Sequence, residues 1–199
     1  MMAVLRRCCI AVAWVVGAAL AGGACGGSIE TIDVHDERLP LEARRWVGDA
    51  EDAVTIATAE LADRERALAA EEARAKAAPK ASASPMAGAW RELAAARVKL
   101  AEAEVAQAEA AREVARARRE LVMAETSMRY DLGVYELDPL RAAVEAARAD
   151  AQRRGLAVED QRAVASALAT AFWTRWQEFA AQGGDTGLLW RAGITVQGE

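Results

Sequence analysis

The chain has 199 residues, about a quarter of them alanine, with 28% charged and only 5% aromatic side chains, and a formal net charge of -5. That length bounds it to one domain after any leader, and an excess of Ala, Glu, Arg and Leu is the composition of long helices or coiled coil. Its arginines are interspersed with glutamates along helical faces, which leaves no concentrated basic surface and excludes a nucleic-acid partner.

Residues 1–24 read as an export signal. Met1, Arg6 and Arg7 form a basic start, Cys8 to Leu20 an apolar run, and Ala21-Gly22-Gly23-Ala24 the small residues before a cut. The run is shorter than the roughly 20 residues a spanning helix needs, so it is expected to be removed rather than retained as an anchor. Without Arg6 and Arg7 the mature chain carries 23 basic against 30 acidic side chains. Cys8 and Cys9 leave with the signal, so Cys25 is left as one thiol at the first mature position and no internal disulfide is possible. An odd cysteine in an oxidising compartment is a liability that covalent modification removes.

Gly22-Gly23-Ala24-Cys25 resembles the lipobox of bacterial lipoproteins. The resemblance covers the signal region only. It implies cleavage before Cys25, a diacylglycerol thioether on that sulfur and a third acyl chain such as palmitate. At about 0.8 kcal/mol per buried methylene, three chains hold a protein on its membrane. With Gly26 rather than Asp after the cysteine, the resemblance implies sorting to the outer membrane, facing the periplasm. The sequence departs from the usual pattern by placing Gly22 where an aliphatic residue is common, with Leu20 two places too early. Gly22-x-Ala24 also suits an ordinary signal peptidase, which would leave a periplasmic or secreted protein with Cys25 unmodified.

Residues 25–38, opening with Gly26, Gly27 and Ser28, read as a flexible tether. A helical domain is expected over 39–182, followed by a short tail over 183–199. Its first helix spans about 40–78, with Pro40 tolerated in the first turn. Pro79-Lys80-Ala81-Ser82-Ala83-Ser84-Pro85 reads as a linker, its Ser84 and Pro85 supplying the cap and first residue of a second helix over about 85–132. That helix is expected to stop at Gly133. Asp138-Pro139 repeats the start signature and opens a third helix over about 139–182, which ends before Gly183-Gly184. The fold class is therefore all-α: a long antiparallel hairpin plus a third long helix, a three-helix bundle or coiled coil.

A strict seven-residue repeat supports this reading. In the second helix Leu93, Leu100, Gln107, Val114, Leu121 and Met128 recur at sevens, beside a companion row of Ala89, Ala96, Ala103, Ala110, Ala117 and Ala124. The first helix carries Val47, Val54, Leu61 and Leu68 beside Ala43, Ala50 and Ala57, until Arg64 and Glu71 interrupt. The third carries Leu137, Val144, Ala151, Val158, Ala165, Phe172 and Phe179, with Leu140, Ala147 and Leu168 beside them. Unbroken sevens call for a left-handed supercoil. Antiparallel pairing of the first two helices about Ser82 sets a large side chain against an alanine in layer after layer, Ala43 with Leu121, Val54 with Ala110 and Leu61 with Ala103. It also buries Gln107 against Ala57, where a polar group fixes register at a cost in stability.

No catalytic, cofactor-binding or metal-ligating constellation emerges from the sequence. His35 is the only histidine and lies in the tether, so histidine-based metal sites and triads are not expected. Glu102, Glu109 and Glu113 sit among arginines at helical spacing, the pattern of a solvated, ion-paired face. Leu168, Phe172, Trp173, Trp176 and Phe179 thicken the end of the third helix and are expected to close the bundle near Trp90 and Leu93. Trp173, Trp176, Phe179 and Trp190 are also the candidate surface for a partner, because exposed aromatic clusters favour interfaces. Trp46 and Tyr130 are expected to pack locally at the opposite end. The sequence thus points to a non-enzymatic, exported spacer or scaffold, held on its membrane through Cys25, with an envelope protein or a second copy as partner. The alternative is a soluble periplasmic chaperone or assembly factor that grips clients or an export apparatus with helical arms.

Overall fold

The computed structural model describes residues 32, 33, 36–78, 85–185 and 187. The expected signal, Cys25, His35, the linker 79–84 and Trp190 lie outside the described residues. Three long helices follow one another, α1 (Leu41–Ala77), α2 (Pro85–Arg129) and α3 (Leu137–Ala181). They form an all-helical bundle in which α2 is central. Both α1 and α3 pack on α2, whereas no Cα of α1 approaches α3 within 8 Å. Each neighbouring pair is antiparallel. Arg119 of α2 reaches Glu51 at 3.2 Å and Arg64 of α1 reaches Glu104 at 3.3 Å. On the other side, Arg141 of α3 reaches Glu125 at 3.3 Å.

Local chemistry sets the helix ends. Pro40 caps α1 with extended backbone, as a residue without an N–H can. The expected stop of α2 at Gly133 comes earlier, because Asp131 takes the left-handed position with φ 53°. The Leu132 N–H then donates to the Ser127 carbonyl at 2.8 Å, the closing bond of a Schellman turn. Gly133 serves a different purpose, since a Cβ there would sit 2.9 Å from the Tyr135 ring. The start of α3 also moves, to Leu137 after an N-cap Glu136 that makes no side-chain cap bond. Pro139 then falls inside the first turn, where its missing N–H has no intrahelical partner to lose. At the far end Gly183, with φ 77°, closes α3, and the Gly184 N–H donates to the Phe179 carbonyl at 3.0 Å.

The seven-residue rows behave differently in the outer and central helices. In α3 the expected row is the buried one, with Val144, Val158, Ala165 and Phe172 all buried. In α1 the two expected rows supply Ala43, Val47, Ala57 and Leu61. In α2 the row starts inside at Leu93, passes half-buried Leu100, exposed Gln107 and half-buried Leu121, and ends outside at Met128, 38% exposed. The buried face of α2 turns from Met86, Ala87, Trp90, Leu93 and Ala94 at one end to Met123, Ala124, Thr126 and Ser127 at the other. A helix with 3.6 residues per turn slips about 20° per heptad against a strict repeat, or about 100° over five heptads. The row therefore slides out of the interface when supercoiling does not absorb the slip.

Two expected contacts change as a result. Gln107 does not lie buried against Ala57; it is exposed, with its Nε2 only 3.5 Å from where a Cβ on Gly155 of α3 would stand. Leu121 does not oppose Ala43 either. It lies with Arg141, Val144 and Arg148 of α3, and Ala43 clusters with Met123. The ion pair of Arg64 with Glu104 places α1 about one helical turn further along α2 than pairing about Ser82 requires.

The two buried clusters lie at the ends, with Leu61 and Val158 among the large buried side chains between them. At one end Met86, Trp90, Leu93 and Ala94 of α2 meet Phe172 of α3, with Ala75 and Ala78 packed against them. At the other, Leu39, Ala43, Val47 and Met123 cluster with Ile32. Ile32 is 8% exposed, so this residue of the expected tether is built into the bundle beside Leu39, which is 1% exposed. A turn precedes the helix there, with the Arg38 guanidinium on Asp36 at 2.6 Å and the Arg38 N–H on the same carboxyl at 2.9 Å. Those bonds, the side-chain one first, hold the Asp36 carboxyl down at about 2.

Glycine positions separate packing from propensity. A Cβ at Gly184 would overlap the Phe179 ring, whereas one at Gly48, inside α1, would meet nothing within 4 Å. Gly184→Ala is expected to cost about 1–3 kcal/mol by overpacking. Gly48→Ala is expected to gain about 0.5–1 kcal/mol through helix propensity. Thermal unfolding followed by far-UV circular dichroism, with midpoints moving in opposite directions, checks both.

Candidate functional site

The aromatic residues of α3 lie where the three helices converge. Phe172 is 1% exposed and lies between two indoles, tilted against Trp90 at 5.6 Å between ring centroids and edge-to-face with Trp173 at 5.3 Å. Trp176 continues the series edge-on to Trp173 at 5.8 Å. Trp173, Trp176 and Phe179 are partly buried and pack against the Met86–Trp90–Leu93 cluster. They close the bundle end and still show an edge to solvent; Trp190 lies outside the described residues. The Arg97 guanidinium stands 5.8 Å over the Trp90 ring. The Trp90 Nε1–H is buried with no hydrogen-bond partner among the described residues, a cost offset by the area an indole buries.

A second feature, which the sequence reading passed over, is an open groove along α2. It holds about 550 Å³ and is lined by Trp46, Asp49, Ala50 and Ala53 of α1 and by Ala111, Val114, Ala115, Arg118 and Val122 of α2, a mostly apolar wall with one charge of each sign. Between Glu102 and Val122 only Ala110 of α2 is buried, so this stretch carries little core. Beyond Trp46 and Val122 the Arg129 guanidinium stands 5.1 Å over the Trp46 ring. Towards the other end Glu104 joins all three helices, its two oxygens accepting from Arg64 at 3.3 Å and from Arg162 at 3.5 Å. A signal for this face existed in the sequence. Glu104, Ala108, Ala111, Ala115, Arg118, Val122, Glu125 and Arg129 alternate at fours and threes, as a helix stripe does.

The charged side chains are engaged along the helices rather than gathered. Arg116 meets Glu113 at 3.0 Å, Arg153 meets Asp150 at 2.9 Å and Arg162 meets Glu159 at 2.6 Å, each one turn apart. Among the described residues no group of three or more His, Cys, Asp or Glu side chains could hold a metal ion, and no helix is long and apolar enough to cross a membrane. No family model matches the chain, and no curated protein or solved structure is significantly similar to it.

The contrast between buried Phe172 and its half-exposed neighbour separates core from surface in this cluster. Phe172→Ala is expected to lower stability by about 3–5 kcal/mol, and Trp173→Ala by clearly less. Urea unfolding of the two variants at one temperature, compared by midpoint, checks the order.

Proposed function

We propose that the protein is an exported coiled-coil component of the cell envelope, held on the outer membrane through acyl chains at Cys25 and facing the periplasm. It acts as a spacer or protein-interaction scaffold and performs no catalysis. The observation that carries this reading is an elongated bundle with its core clusters at opposite ends. Helices of 45 residues, at about 1.5 Å rise each, make it a rod of roughly 65–70 Å. Charge runs as one-turn pairs along its sides, the distribution of a solvated strut. The small-residue run before Cys25 supports a membrane address, and the half-exposed Trp173, Trp176 and Phe179 offer an edge for an envelope partner.

One observation favours a second reading. The apolar groove beside Trp46 is open along the middle of α2, as a soluble periplasmic chaperone or assembly factor that grips client segments requires. A dye that brightens on exposed apolar surface separates the two. It stays dark on a strut and brightens on a client-holding protein.

The anchor is tested at its sulfur. Mass spectrometry of the mature protein is expected to find triacylated Cys25 at the N-terminus. Cys25→Ala is expected to move the protein from the membrane to the soluble fraction. An unmodified Cys25 on a soluble mature chain would remove the anchored reading.

A further inference from the structure

If Cys25 carries acyl chains, the structure limits how the rod can stand. Ile32 is 8% exposed and clusters with Leu39, Ala43, Val47 and Met123 at one end of the bundle. It lies only seven positions after Cys25. A chain of that length spans at most about 25 Å when fully extended, far less than the length of the rod. Had the tether run free to residue 38, as its composition suggests, it would have spanned about twice as far and held this end less closely.

Ile56 and Leu156 are exposed along the sides of the rod, but the most exposed aliphatic side chains are at the end that holds Ile32. Val134, in the α2–α3 turn, is 93% exposed, and Leu41, the first residue of α1, is 74% exposed. They are the two most exposed large hydrophobic side chains among the described residues. Leu132, two residues before Val134, and Leu39, two before Leu41, belong to the same cluster as Ile32. Tyr130 and Trp46 pack there too, with the Arg129 guanidinium over the indole, and such half-apolar rings suit a membrane–water boundary. At the opposite end, among the described residues, Phe172 is buried and Trp173, Trp176 and Phe179 are partly buried against its cluster.

We infer that the α2–α3 turn is a second membrane contact: the rod stands on Val134 and Leu41 at the bilayer surface, and its aromatic end is held away from it. The occupant of this end is a lipid surface. The contact is apolar rather than electrostatic, because the exposed carboxylates of Glu37, Glu42, Asp131 and Glu136 are interspersed at this end with the exposed guanidiniums of Arg38, Arg45, Arg129 and Arg141, which leaves no patch of one sign. It is weak by itself and relies on the acyl chains for residence, as a second signal beside a lipid anchor does. This placement rests on the anchored reading above.

The test uses the lipidated protein in phosphatidylcholine vesicles, in which the acylated Cys25 sulfur leaves an introduced cysteine as the one reactive thiol. An environment-sensitive dye is attached at Val134→Cys or, at the other end, at Ala77→Cys. Quenching by a spin-labelled lipid is expected to be several-fold stronger at 134 than at 77. Ile32→Asp, which frees the clip, is expected to lower quenching at 134 while the protein still floats with the vesicles. Equal quenching at both sites, or quenching at 134 that Ile32→Asp leaves unchanged, overturns the standing orientation and leaves the anchor intact. Protein that fails to float, with no acyl mass at Cys25, overturns the anchor and the orientation with it.

Discussion

The structure depends on α2 serving two neighbours with a surface made mostly of alanine. An alanine row lets a partner helix approach closely, but each methyl removes little apolar area from water. In the middle of α2, where Ala110 is the buried residue between Glu102 and Val122, this helix contributes little depth to the core. Stability is therefore loaded onto the ends, where Met86, Trp90 and Phe172 on one side and Leu39, Val47 and Met123 on the other supply large buried groups. A closed three-helix bundle would share one central core. This one stays open on a face because α1 does not approach α3.

Ion pairing shapes the molecule without bearing much of its stability. One-turn pairs such as Arg153 with Asp150 are solvated, and exposed pairs of this kind contribute from nothing to about 1 kcal/mol. The pairs between helices have a different consequence. Glu104 is only 21% exposed and is reached from both sides, by Arg64 of α1 and Arg162 of α3. A carboxylate held between two guanidiniums favours one relative sliding of the three helices, which a row of interchangeable alanines cannot specify. The register follows the charges, and the alanine layers accommodate it.

This explains what the sequence could and could not disclose. The rows of α1 and α3 were legible because each outer helix faces a single neighbour, and a single interface leaves a single period. The row Val144, Val158, Ala165 and Phe172 was read directly. The repeat in α2 was equally regular, yet two interfaces share that helix, and five heptads of slip turn its buried face away from the written row. Antiparallel pairing was therefore recognised while its register was set about one turn off. The aromatic closure at Phe172 was legible, because bulky rings crowded at one helix end have no other place in an alanine-rich bundle. The groove beside Trp46 was not, since alanine reads the same on a floor, a seam or a solvent face. Ile32 was hidden for a simpler reason: a lone aliphatic side chain in a polar stretch carries no period, and its burial depends on a gap that exists only after Leu39 and Met123 have met. The helix stop at Asp131 was missed because glycine is the usual left-handed residue, and Gly133 stood two positions away.

With α1 and α3 out of contact along their length, α2 is the template on which both hairpins close, and cooperativity between them must pass through it. The aromatic end provides the link. Ala75 and Ala78 at the end of α1 touch the same cluster into which α3 inserts Phe172, so the three helices share one set of side chains there. At the opposite end the cluster is built from α1, α2 and the segment around Ile32, and no residue of α3 belongs to it. The two ends are thus unequal. One couples all three helices into a single unfolding unit, and the other fastens the chain's N-terminal approach to the first hairpin. Connections between antiparallel neighbours keep contacts close in sequence, which favours rapid folding. Phe172 has its full burial only where both hairpins meet at Trp90, so loosening either one exposes it.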